Sequence, residues 1–388
     1  MALFDKQLES LTEDDLLSLV ENQVREGYQI EYKQAVSFKE KQDKLDFLAG
    51  ITSFANTVGG DFLIGVSETS GLPVSVLGWD AVDVDREKQR IENLLRDSVE
   101  PRLSCNLREI RLRNGKSVLV IRVPWSWAQP HMVRVEQVNR FYYRHSAGKD
   151  IMNVAQLRAA FALTTRLEEQ IATFRSERTF GIKSGTDTRL ASPPGPTVVV
   201  HVVPFESFRA GFALDLETAM RQAQEGLLPL GTGSNGHTYT LDGILCYDER
   251  PACNAYVQVF RNGVIETASR KLLAFGRPDK VIPSRALPDH VWKFVGSAME
   301  FYHRINVPPP AAAMMSLINV QGFEFATSPE YGFGCRPDPV DREDLILPSV
   351  IIKDFSTPAV DLCRPMFDAL FNAAGYPKWL DYYQQLPI

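Results

Sequence analysis

No apolar run in this 388-residue chain approaches the roughly 18 residues that a membrane-spanning helix needs. The opening MALFDKQLESLTEDDLLSLV is acidic and amphipathic, so it does not read as a secretory signal. Cysteine is sparse. Cys105, Cys246, Cys253, Cys335 and Cys363 stand at no CxxC or HxC spacing, which excludes a zinc ribbon or a disulfide framework and suits a reducing cytoplasm. Positive charge is not in excess either: a formal charge of −6 and a pI near 5.7 exclude a wholly basic nucleic-acid coat. A phosphate-loop lysine is also missing. GTGSNGHT (231–238) has the glycine spacing of such a loop, but His237 stands in the lysine position and the following YTLDGILCYDE reads as strand, so no ATPase is expected.

What remains is an ordinary composition, 44% hydrophobic and 23% charged, with length for about two domains. Periodicity predicts helices over 13–24, 41–56, 85–97 and 153–175. Between them fall strands at QIEYKQ, 62–66 and 140–144, and a hairpin, NLREIRLRNGKSVLVIRV, turning at Asn114-Gly115. Without regular βαβ repetition this favours an α+β fold. A first domain is assigned to 1–180, a linker or loop to 181–196 (GIKSGTDTRLASPPGP) and a second α+β domain to 197–388. The second domain should hold strands at TVVVHVVPF, GILCYDE and NAYVQVFRNGVIET, and helices over 289–304 and 359–384, separated by Pro308-Pro309-Pro310.

The most informative stretch, 26–68, places Glu26, Glu31 and Glu68 around Lys33. Strand alternation puts Glu31 and Lys33 on one face and Ile30 and Tyr32 on the other. Glu26 lies an odd number of residues earlier and needs a turn or bulge at Gly27 to reach the same side. Glu68 should close the second strand. Three hard oxygen ligands select Mg²⁺ or Mn²⁺, and a lysine beside them suits charge developing on phosphoryl oxygens. Ordinary half-solvated strands carry the same residue types. Asp46 and Asp61 read as solvated or capping acids, and His131 and His145 as histidines that either serve structure or reach a ligand.

Glu26, Glu31-Tyr32-Lys33, Phe54-Ala55-Asn56-Thr57, Gly59-Gly60 and Ile64-Gly65-Val66 fall in the order of the Schlafen AlbA-like domain, which this part of the chain resembles. The resemblance continues through Pro130-His131 and Phe141-Tyr142-Tyr143-Arg144 and covers about residues 10–175. It implies a mixed sheet with flanking helices and, by position, a carboxylate triad at Glu26, Glu31 and Glu68. Glu68 stands where nuclease-active members carry aspartate. The resemblance also implies a metal-dependent endoribonuclease acting on structured RNA such as tRNA, in stress or anti-phage defence, with a homodimer supplying a second wall. A non-catalytic nucleic-acid-binding regulator is the alternative, and a scaffold role for the second domain is a third reading. Candidate nucleic-acid contacts are Arg102, Arg108, Arg111, Arg113, Lys116, Arg122, Arg134, Arg140, Arg144 and Lys149, with Tyr142 among interleaved aromatics.

Overall fold

Thr12 and Asp15 cap each other reciprocally and start helix α1 (Glu13–Glu21), whose first turn is acidic, as the helix dipole favours. The computed structural model describes residues 3, 6–79, 84–146, 148–186, 190–191, 193–209, 211–249, 253–274, 280–326 and 338–379. Cys335 and residues 380–384 of the expected last helix lie outside them. The chain divides into two compact units, Met1–Arg166 and Leu167–Ile388.

In the first unit α1 is followed by β1 (Ile30–Lys33), α2 (Lys41–Ala55), β2 (Gly60–Ile64), β3 (Val66–Thr69), β4 (Leu72–Val76) and α3 (Val84–Ser98). Then come β5 (Val99–Glu100), β6 (Asn106–Arg111), β7 (Ser117–Val123), β8 (Met132–Val135), β9 (Val138–His145), β10 (Gly148–Ile151) and α4 (Val154–Ser184). One sheet runs β1-β2-β7-β6, a second β10-β9-β8-β5, and β3-β4 is a separate hairpin. Only β1 and β2 are parallel in the first sheet, with Glu31 opposite Phe62 and Lys33 opposite Ile64.

Why β2 reads as a nearly unbroken apolar run follows from its position, buried on both faces. Phe62 and Ile64 pack with Leu119 and Ile121 under Leu48, Ile51 and Phe54 of α2. On the opposite face Ile30, Tyr32, Leu63, Val118 and Val120 meet Leu16 and Leu19 of α1. Val133 and Val135 of β8 join the α2 side, so α2 is the common neighbour of both sheets.

The second unit places β11 (Thr197–Pro204) at the centre of a large antiparallel sheet. After it come α5 (Leu216–Gly226), β12 (Gly236–Thr240), β13 (Gly243–Tyr247), β14 (Ala255–Phe260), β15 (Ile265–Ser269) and α6 (Lys271–Ala274). β16 (Val281–Ile282), α7 (Ala286–Arg304), β17 (Ala311–Ile318), β18 (Glu324–Phe325), β19 (Leu345–Ile346), β20 (Val350–Ile352) and α8 (Ala359–Asn372) complete it. The strand order is β12-β13-β14-β15-β11-β17, with β19 and β20 both on the far side of β17. Val198, Val200 and Val202 of β11 face a core shared with Val291, Val295 and Phe367 of the helices. The expected glycine-rich loop indeed leads into a strand, β12, with His237 on it.

Several boundaries differ from expectation: α1 stops at Glu21 and α7 begins at Ala286. α4 runs to Ser184 instead of 175, because Ile171, Arg175, Arg178, Thr179 and Ile182 keep a buried stripe through what composition alone marks as linker. The division between the units falls inside this helix. α8 ends at Asn372, where the chain turns through Gly375 at φ 82°.

Gly60 permits the close crossing of α2 over the start of β2: a Cβ there would lie 2.3 Å from the Phe54 ring and 2.8 Å from the Gln29 carbonyl oxygen. Gly60→Ala should therefore destabilise the protein by about 1–3 kcal/mol, the usual cost of overpacking. An unchanged denaturation midpoint would show that the crossing is not this tight.

Candidate nucleic-acid interface and carboxylate corner

Glu31 enters the α2 side of the first sheet because Tyr32 and Ile30 take the opposite, apolar face. It is 4% exposed, and a carboxylate so placed needs partners. Arg144 of β9 donates from Nη1 to Oε2 at 2.5 Å, Lys149 of β10 donates to Oε1 at 3.1 Å, and Lys33 Nζ lies 3.7 Å from Oε1. Burial pushes the Glu31 carboxyl up, but Lys149, Arg144 and Lys33 together hold it below the ordinary value.

Arg144 is as fully committed. Its Nε donates to the Gly27 carbonyl at 2.8 Å, Nη2 reaches the Ile30 carbonyl at 3.5 Å, and its guanidinium carbon lies 4.0 Å from the Phe54 ring centroid. Its backbone N–H donates to Thr57 Oγ1. Asn56 donates to the carbonyls of His131 and Tyr142 and accepts the His131 N–H at 2.7 Å. The FANT segment is thus the joint between α2 and the second sheet. His131 is locked by Pro101 O and Ser126 Oγ on its two ring nitrogens, and burial lowers its proton affinity, so its role is structural.

Glu26 reaches the same corner by a route other than the one expected. Gly27 has no positive φ, and a Cβ on it would meet nothing within 4 Å. The loop instead closes through Gly27 N–H to Ile30 O, while Glu26 N–H donates to Gly71 O. Glu26 Oε1 then accepts the Tyr32 N–H at 2.7 Å. Glu68, at the bulge in β3, caps the Gly71 N–H through Oε2 at 2.7 Å. Burial raises the Glu26 carboxyl, and the charges of Glu31 and Glu68 add to the rise, against the Tyr32 N–H and Lys33. The four expected residues share one neighbourhood. Yet among the described residues no group of three or more His, Cys, Asp or Glu is arranged to hold a metal ion. Both Glu31 oxygens serve cations, while Glu26 Oε2 and Glu68 Oε1 accept no hydrogen bond from the described residues. Beside this corner Lys33, Asp43, Asp46, Phe47 and Phe62 line a pocket of about 170 Å³.

The basic tract does not form one surface. Arg122 is buried against Asp61 through two hydrogen bonds of 2.8 and 2.9 Å and also donates to the carbonyls of Lys6 and Leu3. Arg122 and Arg144 therefore cannot serve as phosphate contacts: each neutralises a buried acid. Asp61 is correspondingly an internal anion and not a solvated one, its carboxyl raised by burial and held back by Arg122. Arg108 donates to Leu8 O, Arg113 pairs with Glu13 and Asp14, Arg134 with Glu100, and Arg111 lies 3.6 Å from Glu109. Lys116 is exposed at the β6–β7 turn. Arg102 and Arg140 are exposed, with no ion pair to a described residue.

Tyr142 packs against the α2 core, on the Arg144 side of β9. The opposite face carries Phe141, Tyr143 and His145, all half-buried, with Tyr143 and His145 rings 5.8 Å apart and Phe141 5.9 Å from Phe161. Period-two alternation in RFYYRH is the signal that separates this row from Tyr142.

Residues 26–153 match the family model described as Schlafen, AlbA_2, and the chain carries a Schlafen AlbA_2 domain over that span. No curated protein matches the chain. Among solved structures, the N-terminal domain of a putative ATP-dependent DNA helicase RecG-related protein from Nitrosomonas europaea is 23% identical over 37% of this chain and 94% of that one, with a TM-score of 0.28. A protein from Corynebacterium diphtheriae is 15% identical over 37% of this chain and 27% of its own length, with a TM-score of 0.25. No helix among the described residues is long and apolar enough to cross a membrane.

Glu31 and Glu26 should respond oppositely to neutralisation. Glu31 has a lowered folded-state value, so its contribution is complete above the ordinary 4.5 and is lost as pH falls through the folded value. Glu26 has a raised one, so its contribution is complete below 4.5 and is lost as pH rises through the folded value. At pH 7 Glu31→Gln should cost about 3–5 kcal/mol by leaving the buried Arg144 guanidinium without its carboxylate, whereas Glu26→Gln should stabilise. Denaturation midpoints that move in the same direction for both variants would contradict this electrostatic picture.

Proposed function

We propose that the AlbA_2 domain binds RNA with unpaired bases, tRNA-like in its mixture of helix and exposed loops. The observation that carries this reading is the row Phe141, Tyr143 and His145 on one face of β9, away from the core that holds Tyr142. Half-buried rings along a strand face can stack bases without reading sequence, and Arg102 and Arg140 are exposed cations that suit phosphates. Glu31 in this reading is structural, its charge spent on Arg144 and Lys149.

Stacking is worth about 1–3 kcal/mol per base, so Tyr143→Ala with His145→Ala should weaken tRNA binding by about ten-fold or more. Arg140→Gln should weaken it modestly and reduce its salt dependence. Binding unchanged in the double variant, measured by gel shift or anisotropy at fixed salt, would overturn the interface.

Metal-dependent RNA cleavage is the second reading, favoured by one observation: Glu26, Glu31 and Glu68 lie near enough for their charges to act on one another, with Lys33 beside them. Mg²⁺ or Mn²⁺ would be held by Glu26 and Glu68, with Glu31 joining only on release of Lys149, and would supply charge stabilisation for phosphoryl oxygens. Lys33 would face the developing negative charge. Labelled tRNA incubated with Mn²⁺, Mg²⁺ or EDTA distinguishes the readings. Fragments that need the cation and vanish in Glu26→Gln establish cleavage; intact tRNA, bound equally by both proteins, removes it.

A further inference from the structure

Among the arginines drawn in from solvent, three each face a carboxylate: Arg122, part-buried, meets Asp61, and Arg144 and Arg178, buried, meet Glu31 and Glu266. Arg175, one helical turn before Arg178 on α4, does not. It is 8% exposed, and no described carboxylate lies within ion-pair distance of it. Its Nε donates to Ser316 Oγ at 3.1 Å, and its Nη2 donates to the carbonyls of Met315 and Leu347, each at 2.8 Å. The Nη1 amino group makes no hydrogen bond to a described residue. Burial with no compensating anion pulls the guanidinium down to about 10.

Arg175 lines a pocket of about 500 Å³ in the second unit, within the range of small-molecule sites. Its walls are chiefly apolar: Ile171 and Ala172 of α4, Ala312 and Met314 of β17, and Ile346 and Ile351 at the strand edge. The last two are 55% and 44% exposed, unusual for isoleucine on a closed surface. We infer that this pocket binds an amphiphilic monoanion, a carboxylate with a short apolar tail, its head on Arg175 Nη1 and its tail along the apolar walls.

The charge count selects the head group. One guanidinium is the sole cation among the described residues lining the pocket, and Thr179 Oγ1 is committed to the carbonyls of Arg175 and Ser176. Glu168, exposed among the lining residues, adds negative charge. A phosphate dianion would be under-neutralised there, whereas one carboxylate balances one arginine. With Nε and Nη2 engaged elsewhere the contact is end-on, and the tail supplies the remaining affinity by leaving water.

Calorimetry on the full chain with sodium octanoate, 1-octanol, sodium acetate and inorganic phosphate tests this. Octanoate should bind at least ten-fold more tightly than either octanol or acetate. Arg175→Met should bring octanoate down to the octanol level. Because Arg175 also ties β17 to the Leu347 segment, Ala172→Trp, at an exposed position of α4 beside the pocket, gives an independent variant: it should abolish octanoate binding with the melting temperature unchanged. Absence of octanoate binding, equal affinity for octanol, binding indifferent to Ala172→Trp, or displacement of octanoate by equimolar phosphate would each overturn the assignment.

Discussion

A guanidinium and a carboxylate shut away from water hold the AlbA_2 domain together. Arg144 and Glu31 are 3% and 4% exposed, and burying either alone would cost several kcal/mol. The pair persists because nearly every polar group finds a partner. Arg144 uses Glu31, the carbonyls of Gly27 and Ile30, and the face of Phe54; Glu31 uses Arg144, Lys149 and Lys33. Those contacts reach from β1 to α2, β9 and β10. The loop that carries Glu26 is held by the same guanidinium, so the carboxylate corner inherits part of its geometry from that salt bridge.

The same device recurs. Asp61 on β2 is forked by Arg122 on β7, and Glu266 on β15 by Arg178 on α4, with His201 and Tyr256 completing the Glu266 oxygens. In each case a strand carries a buried acid that hydrophobic patterning alone would not place there. Arginine suits all three because its planar fork presents several donors at once: to both acid oxygens in Arg122 and Arg178, and to one acid oxygen and two backbone carbonyls in Arg144. The Glu266 carboxyl is held well below the ordinary range: burial raises it, and Arg178 and His201 more than offset that.

How much of this was legible in sequence depends on range. Alternation in QIEYKQ placed Glu31 with Lys33, and the glycines after FANT marked the turn into β2. Those are local facts. The partners of Glu31 and Asp61 lie 113 and 61 residues away, and nothing in a single sequence couples Arg144 to one or Arg122 to the other. The stretch 102–149 therefore read as one basic patch, although its arginines divide between buried neutralisers, rim ion pairs and free cations. Alternation in RFYYRH could have separated Tyr142 from Tyr143, but only once the side facing α2 was known. The long reach of α4 was hidden for a different reason: glycine and serine near its end resemble a linker, and a buried stripe overrides their low helix propensity.

The neutralisation of Glu31 also orders its own partners. Arg144 has a side chain 2% exposed and tied to backbone carbonyls, whereas Lys149 is 22% exposed and holds Glu31 Oε1 and Asp46 O through single hydrogen bonds. Of the two, Lys149 is the one whose charge water can take over, since an ammonium on a flexible stem is readily resolvated. Anything that competes for Glu31, whether a cation or a phosphate drawing Lys149 away, must act on that bond first. A phosphate beside β10 would do so by attracting Lys149, which leaves Glu31 paired with Arg144 and its Oε1 facing Lys33 at 3.7 Å. Lys149 is thus the adjustable partner of Glu31, while the Arg144 bridge that supports the fold stays in place.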